Sequence, residues 1–186
     1  QTQIIPTQAQ HIKTKHKILL AGVLLLLAFL LVPPVKFKNT TSTVLLDRNG
    51  QLLSATVYDE GMWQFPEVDT VPEKFAICLT QFEDAYFRYH LGVNPVSVIR
   101  ATKQNIQARR IVSGASTITM QLVRLSRRGK PRTFYEKGIE MFLAVRTEFA
   151  FSKRTILAKY ASQAPFGGNV VGLDAAAWLQ KCEASR

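Results

Sequence analysis

The sequence predicts a mainly α-helical domain with one small β-hairpin near its start, preceded by a transmembrane helix. Three observations predict it. Residues 18–32, ILLAGVLLLLAFLLV, are apolar without a break and end at Pro33-Pro34. Residues 43–58, TVLLDRNGQLLSATVY, place Asn49-Gly50 between two apolar runs, the dipeptide that a tight hairpin turn demands. From about Val71 onward, capping residues recur ahead of segments whose apolar side chains fall at helical spacing.

The chain has 186 residues and a formal net charge of +11. That length supports one domain with a real core, not two large ones. The charge favours an anionic partner: nucleic acid, a membrane surface or a phosphorylated substrate.

Residues 1–16 are polar and read as an unstructured cytoplasmic tail. The apolar run that follows is short for a membrane span, which needs about 20 residues. Lys17 ahead of it and Val35 and Phe37 behind it extend the anchor to 17–37 by snorkelling and tilt. No small-x-small cleavage site follows, which favours an uncleaved anchor over a signal peptide. No face of the run is polar, which disfavours a buried soluble helix. Lys13, Lys15 and Lys17 set the N-terminus in the cytoplasm and the rest of the chain outside the cytoplasmic membrane. Cys78 and Cys182 have no metal-like spacing; they are either a pair or a core cysteine and a tail cysteine.

After the hairpin, Pro72 suits a first helical turn, with Phe75, Ala76, Leu79 and Phe82 on one face. Asn94-Pro95 caps a second helix through Val96, Ile99 and Ile106. Ser116 or Thr117 caps a third. Thr133 and Glu136 form a capping box for a fourth, running to about Phe149. Ser152 caps a fifth through Ile156, Leu157 and Tyr160, and Pro165-Phe-Gly-Gly reads as a loop.

The chemistry concentrates between these caps. No acidic residue occurs from Ala85 to Tyr135, a stretch rich in arginine and lysine. It is bracketed by Glu83-Asp84 on one side and by Glu136 and Glu140 on the other. Cations framed by carboxylates suit a reaction in which an anionic group departs while a carboxylate handles the proton. If residues 81–92, QFEDAYFRYHLG, are helical, Glu83, Tyr86, Phe87 and His90 share a face. Aromatic neighbours would favour neutral Glu83 and arginines its carboxylate, a competition that can leave a usable base; a plain surface carboxylate is the alternative. Residues 114–121, GASTITMQ, put small and hydroxyl side chains at a helix start, either an anion-binding end or an ordinary cap.

Together EDAYFRYHLG and GASTITMQ, with APFGGN later, resemble the peptidoglycan glycosyltransferases of the penicillin-binding proteins, glycosyltransferase family 51. The resemblance runs from about Leu45 to Trp178, within a domain placed at 43–178. It implies a lysozyme-like glycosyltransferase fold that polymerises lipid II into β-1,4 glycan strands and releases undecaprenyl pyrophosphate. By the same resemblance, Glu83 is the catalytic base and Glu140 a second catalytic glutamate that positions the leaving group, with Mg²⁺ or Mn²⁺ as an optional divalent ion. His90, Ser116, Thr117, Gln121, Arg124, Arg132 and Lys137 become substrate-binding residues; no metal ligands are assigned with certainty. Lys137 and Glu140, three apart on one helix face, fit either that site or a surface ion pair. The implied partners are lipid II, the nascent glycan strand, the cytoplasmic membrane and other cell-wall synthesis proteins, with no nucleic acid. The implied location is the bacterial inner membrane, single-pass, with the domain on the periplasmic face.

The sequence departs from the family in three places. Glu136 replaces the first arginine of the family's Arg-Lys-x-x-Glu pattern. Tyr160-Ala161-Ser162 replaces Tyr-Leu-Asn. After Trp178 the resemblance stops, and residues 179–186 read as an unrelated tail. No Ser-x-x-Lys occurs, so no transpeptidase and no covalent penicillin binding are expected. The second reading is an inactive, truncated remnant that binds lipid II or cell-wall proteins without catalysis.

Overall fold

The computed structural model describes residues 8–37, 41–57 and 61–184. It divides into two compact units, one ending at Pro33 and the other beginning at Pro34.

The first unit holds α1 (Gln8–Leu31). The expected unstructured tail is corrected from Gln8 on, where the chain is already helical; residues 1–7 lie outside the described residues. The leucines of the apolar run are exposed, Leu25 at 73% and Leu31 at 82%. Of the expected span over 17–37, residues 17–31 are helical. The helix stops at Leu31, just ahead of Pro33-Pro34. Among the described residues no helix is long and apolar enough to cross a membrane.

The second unit opens with the expected hairpin, β1 (Val44–Leu46) and β2 (Leu52–Ala55), antiparallel with Val44 opposite Ala55. Its turn is closed by Asp47, whose Oδ1 accepts from the Asn49 and Gln51 N–H groups at 2.8 and 2.7 Å. Gly50 supplies the left-handed φ of 76° that the reversal requires. Tyr58, the last residue of the expected run, lies outside the described residues.

Five helices then follow at the positions the caps mark: α2 (Glu73–Glu83), α3 (Pro95–Ala108), α4 (Ile118–Ser126), α5 (Phe134–Ala150) and α6 (Lys153–Gln163). Asn94, Thr117, Thr133 and Ser152 each accept a first-turn N–H at the start of α3, α4, α5 and α6. Thr133 accepts from the Glu136 N–H, but the Thr133 N–H bonds to Pro131 O, so half of the expected box forms.

Four elements went unread in the sequence. β3 (Trp63–Gln64), β4 (Pro165–Gly167) and β5 (Val170–Val171) form a sheet in the order β3-β5-β4, with β3 parallel to β5. The expected loop at Pro165 is therefore a strand. α7 (Leu173–Ala184) carries the helix beyond Trp178 into the segment read as a tail. Trp178 explains why it holds there, since its ring lies 5.8 Å from Trp63 and 5.9 Å from Phe65.

The core gathers on α4, where Ile118, Thr119, Met120, Leu122 and Val123 are all buried. Ile118 and Leu122 pack with Val35, Phe87 and Ile156, while Met120 and Val123 pack with Ala144. Gly92 permits the second contact: its φ is 84°, and a Cβ there would stand 2.6 Å from the Ala144 carbonyl carbon. Several of the apolar side chains at helical spacing are open. Phe82 is 89% exposed, and Val96, Ile99 and Ile106 on α3 face outward, because that helix buries only Ala101. Cys78 is an exposed free thiol on α2, not a core residue; the side chain of Cys182 lies outside the described residues.

Candidate active site

Glu83 is the last residue of α2, and the chain turns away immediately after it. The turn is set by Asp84. Its carboxylate accepts from His90 Nε2, 3.0 Å from Oδ1 and 2.9 Å from Oδ2, and from the Ile118 N–H at 3.2 Å. Both side chains are buried. Lys153 fixes the far side of the turn, donating to the His90 carbonyl at 2.7 Å and to Glu148 Oε1 at 2.8 Å.

Two expectations are corrected here. The face shared by Glu83, Tyr86, Phe87 and His90 does not form, because the helix ends before it: Phe87 enters the core while Tyr86 and Tyr89 face outward. No aromatic jacket therefore surrounds Glu83, which is exposed. The anion-binding end at GASTITMQ is also filled from within. Asp84 takes the Ile118 N–H, and Thr117 Oγ1 takes the Met120 N–H. Thr117 donates in turn to the Gly92 carbonyl at 2.6 Å and is buried, so its hydroxyl is a structural cap. His90 is likewise a turn-holding residue; its buried Nδ1 has no hydrogen-bond partner among the described residues.

Glu83 is held by α4 instead. Gln121 Nε2 donates to Glu83 Oε2 at 2.7 Å, and the Tyr160 hydroxyl donates to Gln121 Oε1 at 3.0 Å. Burial first, and the nearby Glu83 charge second, raise the Tyr160 hydroxyl above the usual tyrosine pKa of 10.0. Tyr160 was absent from the sequence-derived site; its recurrence on one helix with Ile156 and Leu157 signals only packing.

One helical turn beyond Gln121, Arg124 lines a cleft of about 540 Å³. Arg127, Lys130, Arg132 and Lys137 line it too, against two carboxylates, Glu136 and Glu140. The structure thus brings together Arg124, Arg132, Lys137 and Glu140. Ser116 joins them through Lys137, whose Nζ donates to Ser116 Oγ at 2.6 Å and to Glu140 Oε2 at 2.9 Å. The excess of cations creates a field that attracts a compact polyanion. Arg127 and Lys130 enter through the turn at Gly129, whose φ is 87°. Arg127 meets Glu136 in an ion pair of 2.8 Å, so the departure at position 136 has a structural partner. The departure at Ser162 has one as well, since its hydroxyl accepts the Val68 N–H at 3.2 Å.

A second cleft, of about 620 Å³, lies between α2 and α6 and is lined by Arg88, Lys153 and Arg154. Of the residues on the expected Glu83 face it is lined by Phe87 alone, and by none of the expected catalytic or substrate-binding residues.

A family model described as Transglycosylase matches residues 49–180, more than half of the chain. Penicillin-binding protein 1C of Escherichia coli (strain K12) is 41% identical over 120 residues, covering 64% of this chain and 16% of that protein. Penicillin-binding protein 1A of Aquifex aeolicus is 36% identical, covering 61% of this chain and 16% of that protein. A biosynthetic peptidoglycan transglycosylase of Alcanivorax borkumensis is 38% identical over 95 residues, 51% of this chain and 39% of that protein. The chain thus spans less than half the length of these relatives. With the match across its helical unit and the acidic and basic residues converging around α4, the chain belongs to the transglycosylase family.

Proposed function

We propose that this chain is a peptidoglycan glycosyltransferase that polymerises lipid II into β-1,4 glycan strands and releases undecaprenyl pyrophosphate. The observation that carries this reading is the juxtaposition on α4. Gln121 holds the Glu83 carboxylate, and Arg124, one turn on, lines a cleft with five cations.

Glu83 removes the proton from the acceptor's sugar 4-hydroxyl. The freed oxygen attacks the donor's anomeric carbon from the face opposite the diphosphate, with inversion. The bond to the diphosphate oxygen breaks, and its electron pair leaves with the lipid diphosphate. Arg124, Arg132 and Lys137 stabilise that developing charge in a fixed geometry. Glu140 orients Lys137 through their 2.9 Å ion pair. The carboxylates present do not fit a protein-held Mg²⁺ or Mn²⁺. Glu140 is engaged by Lys137 and Glu136 by Arg127, and no cluster of three or more His, Cys, Asp or Glu occurs among the described residues.

The reading places the protein at the bacterial inner membrane, with α1 as its single attachment and the second unit on the periplasmic face. The exposed leucines of α1 support this, with Lys15 and Lys17 snorkelling at one end. The nascent glycan and other cell-wall synthesis proteins are its partners. Polymerisation of purified lipid II in detergent tests it: Glu83→Gln is expected to lower the rate by about 100-fold or more. No polymer from a folded parent chain would sink the enzyme reading and leave a lipid II binder.

A further inference from the structure

Tyr160 takes no direct part in the proton transfer from the acceptor hydroxyl to Glu83. Its ring packs on the cluster of Phe87, Ile118 and Ile156, yet its hydroxyl leaves that cluster to donate to Gln121 Oε1 at 3.0 Å. The opposite end of the same amide donates to Glu83 Oε2 at 2.7 Å. An amide has one accepting and one donating end, whereas an ionised carboxylate only accepts. With the phenol donating to the oxygen, the nitrogen is the end left for Glu83.

We propose that Tyr160 is a positioning residue for the base: it fixes the Gln121 amide with its N–H end toward ionised Glu83 and lets it turn over once Glu83 is protonated. The second half follows from the phenol's ability to donate and to accept. Protonated Glu83 donates to Gln121 Oε1, and Gln121 Nε2 then donates to the Tyr160 oxygen. The proton comes from the attacking hydroxyl, resides on Glu83 and leaves to water at its exposed side. Tyr160 keeps its own proton throughout, in line with its raised pKa. Two charged groups beside this chain of bonds have their own partners, and a third faces the cleft. Asp84 bonds to His90, Lys159 pairs with Glu67 at 2.9 Å, and Arg124 lines the cationic cleft.

The role in turnover rests on the proposed function; the effect on Glu83 does not. The test therefore has two readouts on the full chain in detergent: the pH profile of lipid II polymerisation, and the Glu83 titration followed by ¹³C NMR of carboxyl-labelled glutamate, assigned with Glu83→Gln. Tyr160→Phe keeps the ring and is expected to move the titration and the acidic limb upward by about half a pH unit, Gln121→Leu by about one. The double variant moves no further than Gln121→Leu alone, because the phenol acts only through the amide. No shift, or the same Tyr160→Phe shift in both backgrounds, overturns the proposal. An unchanged titration in Gln121→Leu does so by itself, even where Tyr160→Phe fails to fold. A parent that makes no polymer but shows the coupled titration refutes the proposed function and leaves the positioning role intact.

Discussion

The Asp84 carboxylate lies 3.2 Å from the Ile118 N–H and closes the N-terminus of α4 from inside the protein. The residue beside the proposed base thus ties α2 to the helix that carries Gln121 and Arg124. Asp84→Ala leaves that N–H and the buried His90 ring without their acceptor. The expected cost is about 3 kcal/mol, because buried polar groups lose their partner with no water to replace it. Chemical denaturation of the variant checks this; a stability within about 0.5 kcal/mol of the parent refutes the anchoring role.

Gly92→Ala is expected to destabilise by more than about 2 kcal/mol. A Cβ there would stand 2.6 Å from the backbone of Ala144, at a φ of 84° that side chains resist. The partner atoms are helix backbone and cannot swing aside. Thermal unfolding close to that of the parent would contradict the close packing of this turn on α5.

Glu136→Gln releases Arg127 from its 2.8 Å ion pair and removes one negative charge from the cleft. Binding of inorganic pyrophosphate, measured calorimetrically at low salt, is expected to tighten about three- to tenfold, with the gain fading as salt is added. Unchanged or weaker binding would show that Arg127 does not face the anion.

Lys137→Met breaks contacts to Ser116 and Glu140 together and leaves Glu140 as an uncompensated anion in the same cleft. Pyrophosphate binding is expected to fall at least about tenfold, and Lys137→Met/Glu140→Gln to recover part of the loss. Additive losses in the double variant would separate the two residues functionally.

Tyr160 gives the pH prediction. Its pKa is raised above 10.0 in the folded protein, so it stays neutral where an unfolded tyrosine ionises. Its contribution to stability is complete below the unfolded pKa and is lost as pH rises through the folded one. Ultraviolet titration of tyrosinate should show Tyr160 ionising late in the parent, identified by its loss in Tyr160→Phe, and Glu83→Gln should bring it part of the way back. No change in Glu83→Gln would remove the carboxylate as a cause.

The local features were legible in the sequence because they are local. Asn94, Thr117, Thr133 and Ser152 cap their helices through bonds three residues long, which a reader of the chain can see. The cationic cleft was partly legible as a long stretch without acids. What escaped depends on partners far along the chain. Asp84 turns after α2 because of Ile118, and Trp63 is a strand because Val170 lies beside it. Tyr160 looked like a packing residue because helical spacing describes its ring and says nothing of its hydroxyl. Val96, Ile99 and Ile106 lie on the expected helix, but helical spacing did not show that among the described residues their side chains stay exposed.

The pairing of β3 with β5 also sets an order of events during synthesis. Trp63 and Gln64 leave the ribosome long before Val170 and Val171, so this sheet cannot close before Val171 has been made. The β1–β2 hairpin and the individual helices can form as they emerge, whereas the ring contacts of Trp63 and Phe65 wait for Trp178. Assembly of the sheet therefore comes after every helix from α2 to α6 has been made. Until then two aromatic side chains stay uncovered, and this is the interval in which the protein is most open to chaperones and proteases.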